Sequence, residues 1–258
     1  MFDIKRGPAQ EFLKFKARLV AMGFSQIEGV DFSETHASVM ATKSFRILLA
    51  LWNFEKSLSL EHWDAKTAFV NAPIDENIFV HPVPRYEGTG GVGKIFKLRK
   101  ALYGLRQSGC LWQKYLSDLF AKMGAKRHLN DECVYIFREG GAWVVIGVHV
   151  DDMFPLFNRE GRALRDKIFN FLQKHMTLEN KGIISFALDT KIERDAEAGI
   201  LKISQPAYVA GIISDFNQEN ASRRDTPSSG AEISEEVLPK TEEEKQKPIR
   251  NLIGAFGG

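Results

Sequence analysis

Cysteine is nearly absent: Cys110 and Cys133 are the two in 258 residues. They lie far apart, with no partner at ligand spacing, which excludes a disulfide scaffold and gives no zinc signature. No apolar run reaches membrane-spanning length. Met1-Phe2-Asp3-Ile4-Lys5-Arg6 lacks the apolar stretch of a signal peptide. Reduced thiols in an intracellular setting are the expectation, with cytoplasm and nucleus not distinguished and no membrane partner. Net charge is only +2, too small to imply a polyanionic partner on its own. No internal repeat is present.

What is there describes a globular chain, 44% hydrophobic and 26% charged. Basic residues cluster at Lys5, Arg6, Lys14, Lys16 and Arg18, and again from Lys94 to Arg106 with no acidic residue between. Either run reads equally as a solvated face.

The pattern predicts a hairpin over Phe2–Arg6 and Phe12–Met22, turning at Gly7-Pro8. A helix over Lys43–Lys56 follows, with Thr42 or Ser44 as its cap, and then a strand over Leu58–Asp64. Pro82 to Gly93 marks a loop, and Ile95–Leu98 a short strand. Leu111, Trp112, Tyr115, Leu116, Leu119, Phe120 and Met123 form the stripe of an amphipathic helix closed by Gly124. Strands over Cys133–Phe137 and Trp143–Val150 flank Gly140-Gly141, and Pro155 points to an edge position or a bulge. A helix around Leu164–Leu172, a hairpin over Ile184–Glu193 and Ile200–Ser204, and a helix opened by Pro206 complete the order. Charge, Ser and Pro dominate 219–247, which reads as a linker, and 248–258 as the cut start of a following element.

Three carboxylates carry the chemistry. Asp151-Asp152 sits between two apolar runs, as the tip of a hairpin would, and Asp64 ends another candidate strand. Asp-Asp in a turn is common for conformational reasons alone. If the two strand ends meet, however, three hard oxygen ligands converge, the donor set that suits Mg²⁺. Two such ions about 3.5–4 Å apart clamp the attacking and leaving oxygens of a phosphoryl transfer.

Five segments, in order, resemble the reverse transcriptase of copia-type LTR retrotransposons. Lys16 to Phe24 is similar to the family's KARLVAKGF, and Trp63 to Asn71 to its MDVKTAFLNG. Leu102 to Gln107 followed by Trp112 is similar to LYGLKQAPRQW, and His149 to Asp152 to the YVDD box. Ser204-Gln205 with Tyr208 matches a late SQ-Y motif.

The resemblance implies an α+β right-hand polymerase of fingers, palm and thumb within residues 1–218. It implies two Mg²⁺ ions (or Mn²⁺) on Asp64, Asp151 and Asp152, a primed RNA or DNA template, and dNTPs as substrate. Oligomeric state stays open. By the same resemblance Lys5 and Arg18 grip the triphosphate, Phe69 lies under the nucleotide sugar, Tyr103 and Gly104 border the base, and Gln107 touches the template.

The chain departs from the pattern at His149, where Tyr is usual, at Ser108-Gly109-Cys110, where Ala-Pro-Arg is usual, and at Leu188-Asp189, where Leu-Gly is usual. These departures motivate an alternative: a decayed or domesticated nucleic-acid-binding module without polymerase activity. A metal-dependent nuclease is a third reading, with His149 as its one nearby candidate base.

Overall fold

The computed structural model describes residues 2–6, 12–74, 76–81, 95–216 and 220, with the side chains of Asp3, Lys5, Arg6 and Leu13 outside the description. The elements run β1 (Phe2–Arg6), β2 (Phe12–Ala17), α1 (Thr42–Phe54), β3 (Ser59–Ala65), β4 (Phe79–Val80) and β5 (Phe96–Lys97). Next come α2 (Ser108–Lys122), β6 (Lys126–His128), β7 (Asp131–Glu139), β8 (Ala142–His149), β9 (Asp152–Phe157) and α3 (Arg162–Gln173). The series closes with β10 (Leu178–Ile183), β11 (Phe186–Ala187), β12 (Thr190–Asp195), β13 (Ile200–Ser204) and α4 (Pro206–Asp215). The predicted turn at Gly7-Pro8, the loop from Pro82 to Gly93 and, Asn220 apart, the segments 219–247 and 248–258 lie outside the described residues.

A six-stranded sheet in the order β10-β3-β9-β8-β7-β6 organises the chain, and smaller sheets are formed by β1-β2, β4-β5 and β11-β12-β13. Every pair of named strands is antiparallel. Helices and antiparallel strands occupy separate layers, the α+β class.

The sheet is covered on both faces. Trp112, Leu116 and Phe120 of α2, with Leu164, Ile168 and Leu172 of α3, pack on one side against Trp63, Phe137, Ile146 and Met153. Phe45, Leu48, Leu49 and Trp52 of α1 pack on the other against Leu60, Phe154 and Leu156. The α1 positions recur at i, i+3, i+4 and i+7, one helical stripe. Two-sided burial explains why Met153 to Phe157 is buried throughout and apolar without alternation. Each such side chain contributes about 1.5–3 kcal/mol by leaving water. Gly147 lets α1 approach, because a Cβ there would collide with Met40 Sδ and touch Leu48.

Two local expectations are corrected. Neither Thr42 nor Ser44 caps α1; its N-cap is Ala41, whose N–H donates to Asp131 Oδ2 at 3.0 Å, so β7 supplies the acceptor and a negative charge. Pro155 is on no edge: β9 is central, with Pro155 opposite Ile146 of β8. The missing N–H is accommodated towards β3, where the ladder pairs Leu60 with Leu156 and Trp63 with Met153 but lapses between them.

Among the described residues no helix is long and apolar enough to cross a membrane.

Candidate active site

Asp64 of β3 stands directly opposite Asp152 of β9, and His149 of β8 opposes Asp152 from the other side. The link from β8 to β9 is the two residues Val150 and Asp151. Val150 has φ 56°, a conformation that a β-branched residue rarely adopts and that costs about 1–3 kcal/mol. Two hydrogen bonds hold the turn. Trp112 Nε1 of α2 donates to the Val150 carbonyl at 2.7 Å, and Ala65 N of β3 donates to the Asp151 carbonyl at 2.8 Å. The His149 Nδ1 atom is buried and has no hydrogen-bond partner among the described residues.

Basic side chains meet Asp64 and Asp152. Lys181 of β10 reaches Asp64 Oδ1 at 2.7 Å and Asp152 Oδ1 at 3.7 Å. Lys66 reaches Asp64 Oδ2 at 2.7 Å and Glu179 at 2.5 Å. His62 Nε2 lies 2.5 Å from Asp152 Oδ1. Burial raises the Asp64 carboxyl, but hydrogen bonds from Lys181 and Lys66 outweigh burial and hold it below the ordinary carboxylate value. Asp151 behaves oppositely. Although solvent reaches its side chain, the surrounding protein disfavours its charge, a hydrogen bond from its own N–H opposes this, and the like charges of Asp152 and Asp64 leave it raised.

Among the described residues no three His, Cys, Asp or Glu side chains are grouped closely enough to hold a metal ion. The chemistry of Asp64 and Asp152 nonetheless suits a hard divalent cation. Both offer carboxylate oxygens on one face, and the Lys181 ammonium bridging them shows that positive charge is favourable between them.

The residues expected at the nucleotide are partly brought together. The Arg18 guanidinium lies 5.5 Å from the Tyr103 ring centroid, and the Tyr103 and Phe69 rings are 5.0 Å apart. Burial first, then the charge of Asp151, raises the Tyr103 hydroxyl, with Arg18 opposing and Asp64 adding to it, so this stack borders the carboxylates. Phe69 sits in a 3₁₀ turn, Ala68–Asn71, entered through Thr67 at φ 50° and braced by Asn71 Nδ2 on the carbonyls of Lys66, Thr67 and Ala68. It also packs, partly buried, against the core. Gly104, at φ 90°, lies so close to Ala21 that a Cβ would collide with the Ala21 carbonyl and with Val20. Ala21 N donates to the Tyr103 carbonyl at 2.7 Å, which ties the segment carrying Arg18 to the one carrying Tyr103.

Lys5 pairs in register with Lys14 on the β1–β2 hairpin; its side chain lies outside the described residues. Gln107 is placed otherwise than expected. It is 2% exposed, accepts from Gln26 Nε2 at 3.0 Å and donates to the Asp31 carbonyl at 2.8 Å, so it braces the loop and does not face a template. His149 is also not the only basic side chain near the carboxylates, since His62, Lys66 and Lys181 all touch them.

Residues 2–229 match the family described as "Reverse transcriptase (RNA-dependent DNA polymerase)". The chain belongs to this reverse transcriptase family. The copia-type likeness read from the motifs agrees with the relatives found. The chain is 30% identical to the "Retrovirus-related Pol polyprotein from transposon TNT 1-94" of Nicotiana tabacum, over 99% of this chain and 20% of that protein. It is 27% identical to the Pol polyprotein from transposon RE1 of Arabidopsis thaliana, over 83% of this chain and 14% of that protein. A "Truncated transposon Ty1-A Gag-Pol polyprotein" of Saccharomyces cerevisiae is 29% identical over 75% of this chain and 15% of its own length. The chain thus spans a fifth or less of these relatives.

Sequence reasoning missed four contributors to this candidate site. Lys66 and His62 each lie two positions from Asp64, and the period of a strand places i and i±2 on one face, a signal that was available. Trp112 entered only through the α2 stripe and the motif that follows Leu102–Gln107. Lys181, from β10, gave no local signal at all.

Proposed function

We propose that this chain is the polymerising unit of a copia-type retrotransposon reverse transcriptase, an RNA-directed DNA polymerase that joins dNTPs to a primer 3′-hydroxyl on an RNA or DNA template. In this reading the six-stranded sheet with α1, α2 and α3 is the palm, the β1–β2 hairpin belongs to the fingers, and α4 begins the thumb. The observation that carries the reading is Asp64 opposite Asp152 on neighbouring central strands, with Asp151 on the adjoining turn and the Arg18–Tyr103–Phe69 stack beside them.

The chain's own residues divide the work. Asp64, favoured as an anion by the neighbouring Lys66 and Lys181 ammonium groups, and Asp152 would hold two divalent cations, with Asp151 completing the set. Mg²⁺, when bound, supplies charge neutralisation at the attacking and departing oxygens. Arg18 offers a planar fork to the triphosphate, and Lys5 adds a point charge. Phe69 fills the space under the sugar, while Tyr103 and Gly104 border the base. Gln107 acts one step back, bracing the loop that carries Tyr103.

The second reading, nucleic-acid binding without turnover, is favoured by one observation: both Asp64 oxygens are ion-paired to lysines. Primer extension on poly(rA)/oligo(dT) with Mg²⁺ separates the two. The expected result is extension by the parent, none by Asp64→Asn, and equal duplex binding by both, since binding rests on basic side chains. Duplex binding by a parent that never extends the primer selects the second reading, and extension by Asp64→Asn overturns the site assignment.

A further inference from the structure

His62 has no role in the assignments above, yet it is a buried side chain held directly against a carboxylate of the site. It is 6% exposed, and its Nε2 is 2.5 Å from Asp152 Oδ1. At this separation a proton lies between the two atoms, and with Asp152 taken as the carboxylate that cation binding requires, Nε2–H is the donor. The ring is held from behind. His62 lies 5.3 Å from the Phe154 ring, and Phe154 lies 4.9 Å from Phe45 of α1. The wall α1–Phe154–His62 therefore fixes the imidazole before any ligand arrives. Lys181 also faces Asp152 Oδ1, at 3.7 Å, but from a side chain that is 36% exposed.

Strand geometry accounts for the arrangement. His62 and Asp64 are two apart on β3 and share a face, with Asp152 opposite Asp64 and Phe154 further along β9. One strand thus supplies a carboxylate and also the donor that orients the neighbouring strand's carboxylate. Ligating carboxylates work best when a second group fixes their plane.

We infer that His62 is a positioning residue. By holding Oδ1 of Asp152 it fixes the carboxylate plane and directs the second oxygen towards a divalent cation shared with Asp64. The inference rests on reading Asp64 and Asp152 as cation ligands.

Mn²⁺ binding to the full chain, followed by electron paramagnetic resonance without primer, template or dNTP, reads this directly. Three variants are compared, each with thermal unfolding in EDTA as a check of folding. His62→Leu keeps bulk and removes the donor. His62→Gln keeps a donor at similar reach. His62→Met is an adaptable apolar substitute should Leu fail to fold. The expected result is Mn²⁺ affinity reduced about 10–100-fold in the Leu or Met variant, the range for loss of such a supporting partner, and restored to within about threefold of the parent in His62→Gln. Parent-like affinity in the folded apolar variant overturns the inference while leaving the metal reading intact. Equal loss in the Gln and apolar variants also overturns it, since packing and not hydrogen bonding is then at issue. A parent that binds no Mn²⁺ sinks the metal reading itself, and the inference with it.

Discussion

Trp112 donates its indole N–H to the carbonyl of Val150 at 2.7 Å, so a helix behind the sheet grips the turn that carries Asp151. Trp112 is 2% exposed, and the carbonyl it satisfies belongs to a residue at φ 56°. A strained turn persists only where its surroundings over-determine it. Trp112→Phe keeps an aromatic in the core and removes the donor. It should cost about 1–3 kcal/mol, the penalty for a stranded buried acceptor. It should also lower the extension rate while leaving duplex affinity unchanged. Urea unfolding and single-turnover extension measure both; an unchanged rate in a destabilised protein would make Trp112 purely structural.

The opposed shifts of Asp64 and Asp151 predict opposite effects on stability. The folded Asp64 carboxyl lies below its ordinary 3.8, so its stabilising contribution is complete above that value and is lost as pH falls through the folded pKa. The folded Asp151 carboxyl lies above 3.8, so ionising it costs stability at neutral pH, a cost relieved as pH falls through its raised pKa. In EDTA at pH 7, Asp64→Asn should therefore lower the melting temperature, leaving Lys66 and Lys181 without their partner, and Asp151→Asn should raise it. The same direction of change in both variants would contradict the electrostatic account.

Legibility in the sequence followed locality. The Asp151-Asp152 tip was readable because strand, turn and strand are contiguous, and α1 and α2 because their stripes repeat at helical spacing. Pro155 misled because the rule against proline in central strands assumes an unbroken ladder, whereas β3 and β9 leave a gap there. Gln107 misled for a related reason: its partners Gln26 and Asp31 belong to a distant loop, and no spacing within the Leu102–Gln107 motif shows that both ends of its amide are occupied. Lys181 was invisible because only the pairing of β10 with β3 brings it to Asp64.

The turn joining β11 to β12 offers a test independent of activity. Leu188 and Asp189 are the two residues between the paired Ala187 and Thr190, with φ of 50° and 57°. Two-residue hairpins of this geometry favour Asn-Gly or Asp-Gly, because both positions need positive φ. Asp189→Gly should stabilise the protein by about 0.5–1 kcal/mol, relief of left-handed strain exceeding the added freedom of the unfolded chain. Leu188→Gly should not, because Leu188 packs against the α1 side of the core. Chemical denaturation of both variants decides; a destabilised Asp189→Gly refutes the strain argument.

Phe69 should govern sugar choice. Its ring stacks on Tyr103 at 5.0 Å, Tyr103 in turn feels the charge of Asp151 and Asp64, and the 3₁₀ turn from Ala68 braced by Asn71 fixes its approach. A ring so placed leaves no room for a ribose 2′-hydroxyl if the triphosphate lies on Arg18. An overpacked contact costs about 1–3 kcal/mol, which at about 1.4 kcal/mol per tenfold is roughly one to two orders of magnitude of discrimination. Phe69→Val opens the space, and because Phe69 is only partly buried the core should tolerate the change. The ratio of kcat/KM for dNTP over rNTP should fall by about tenfold or more, with dNTP use reduced only modestly. An unchanged ratio with a lowered melting temperature would mean that the ring serves the core alone and that the nucleotide lies elsewhere.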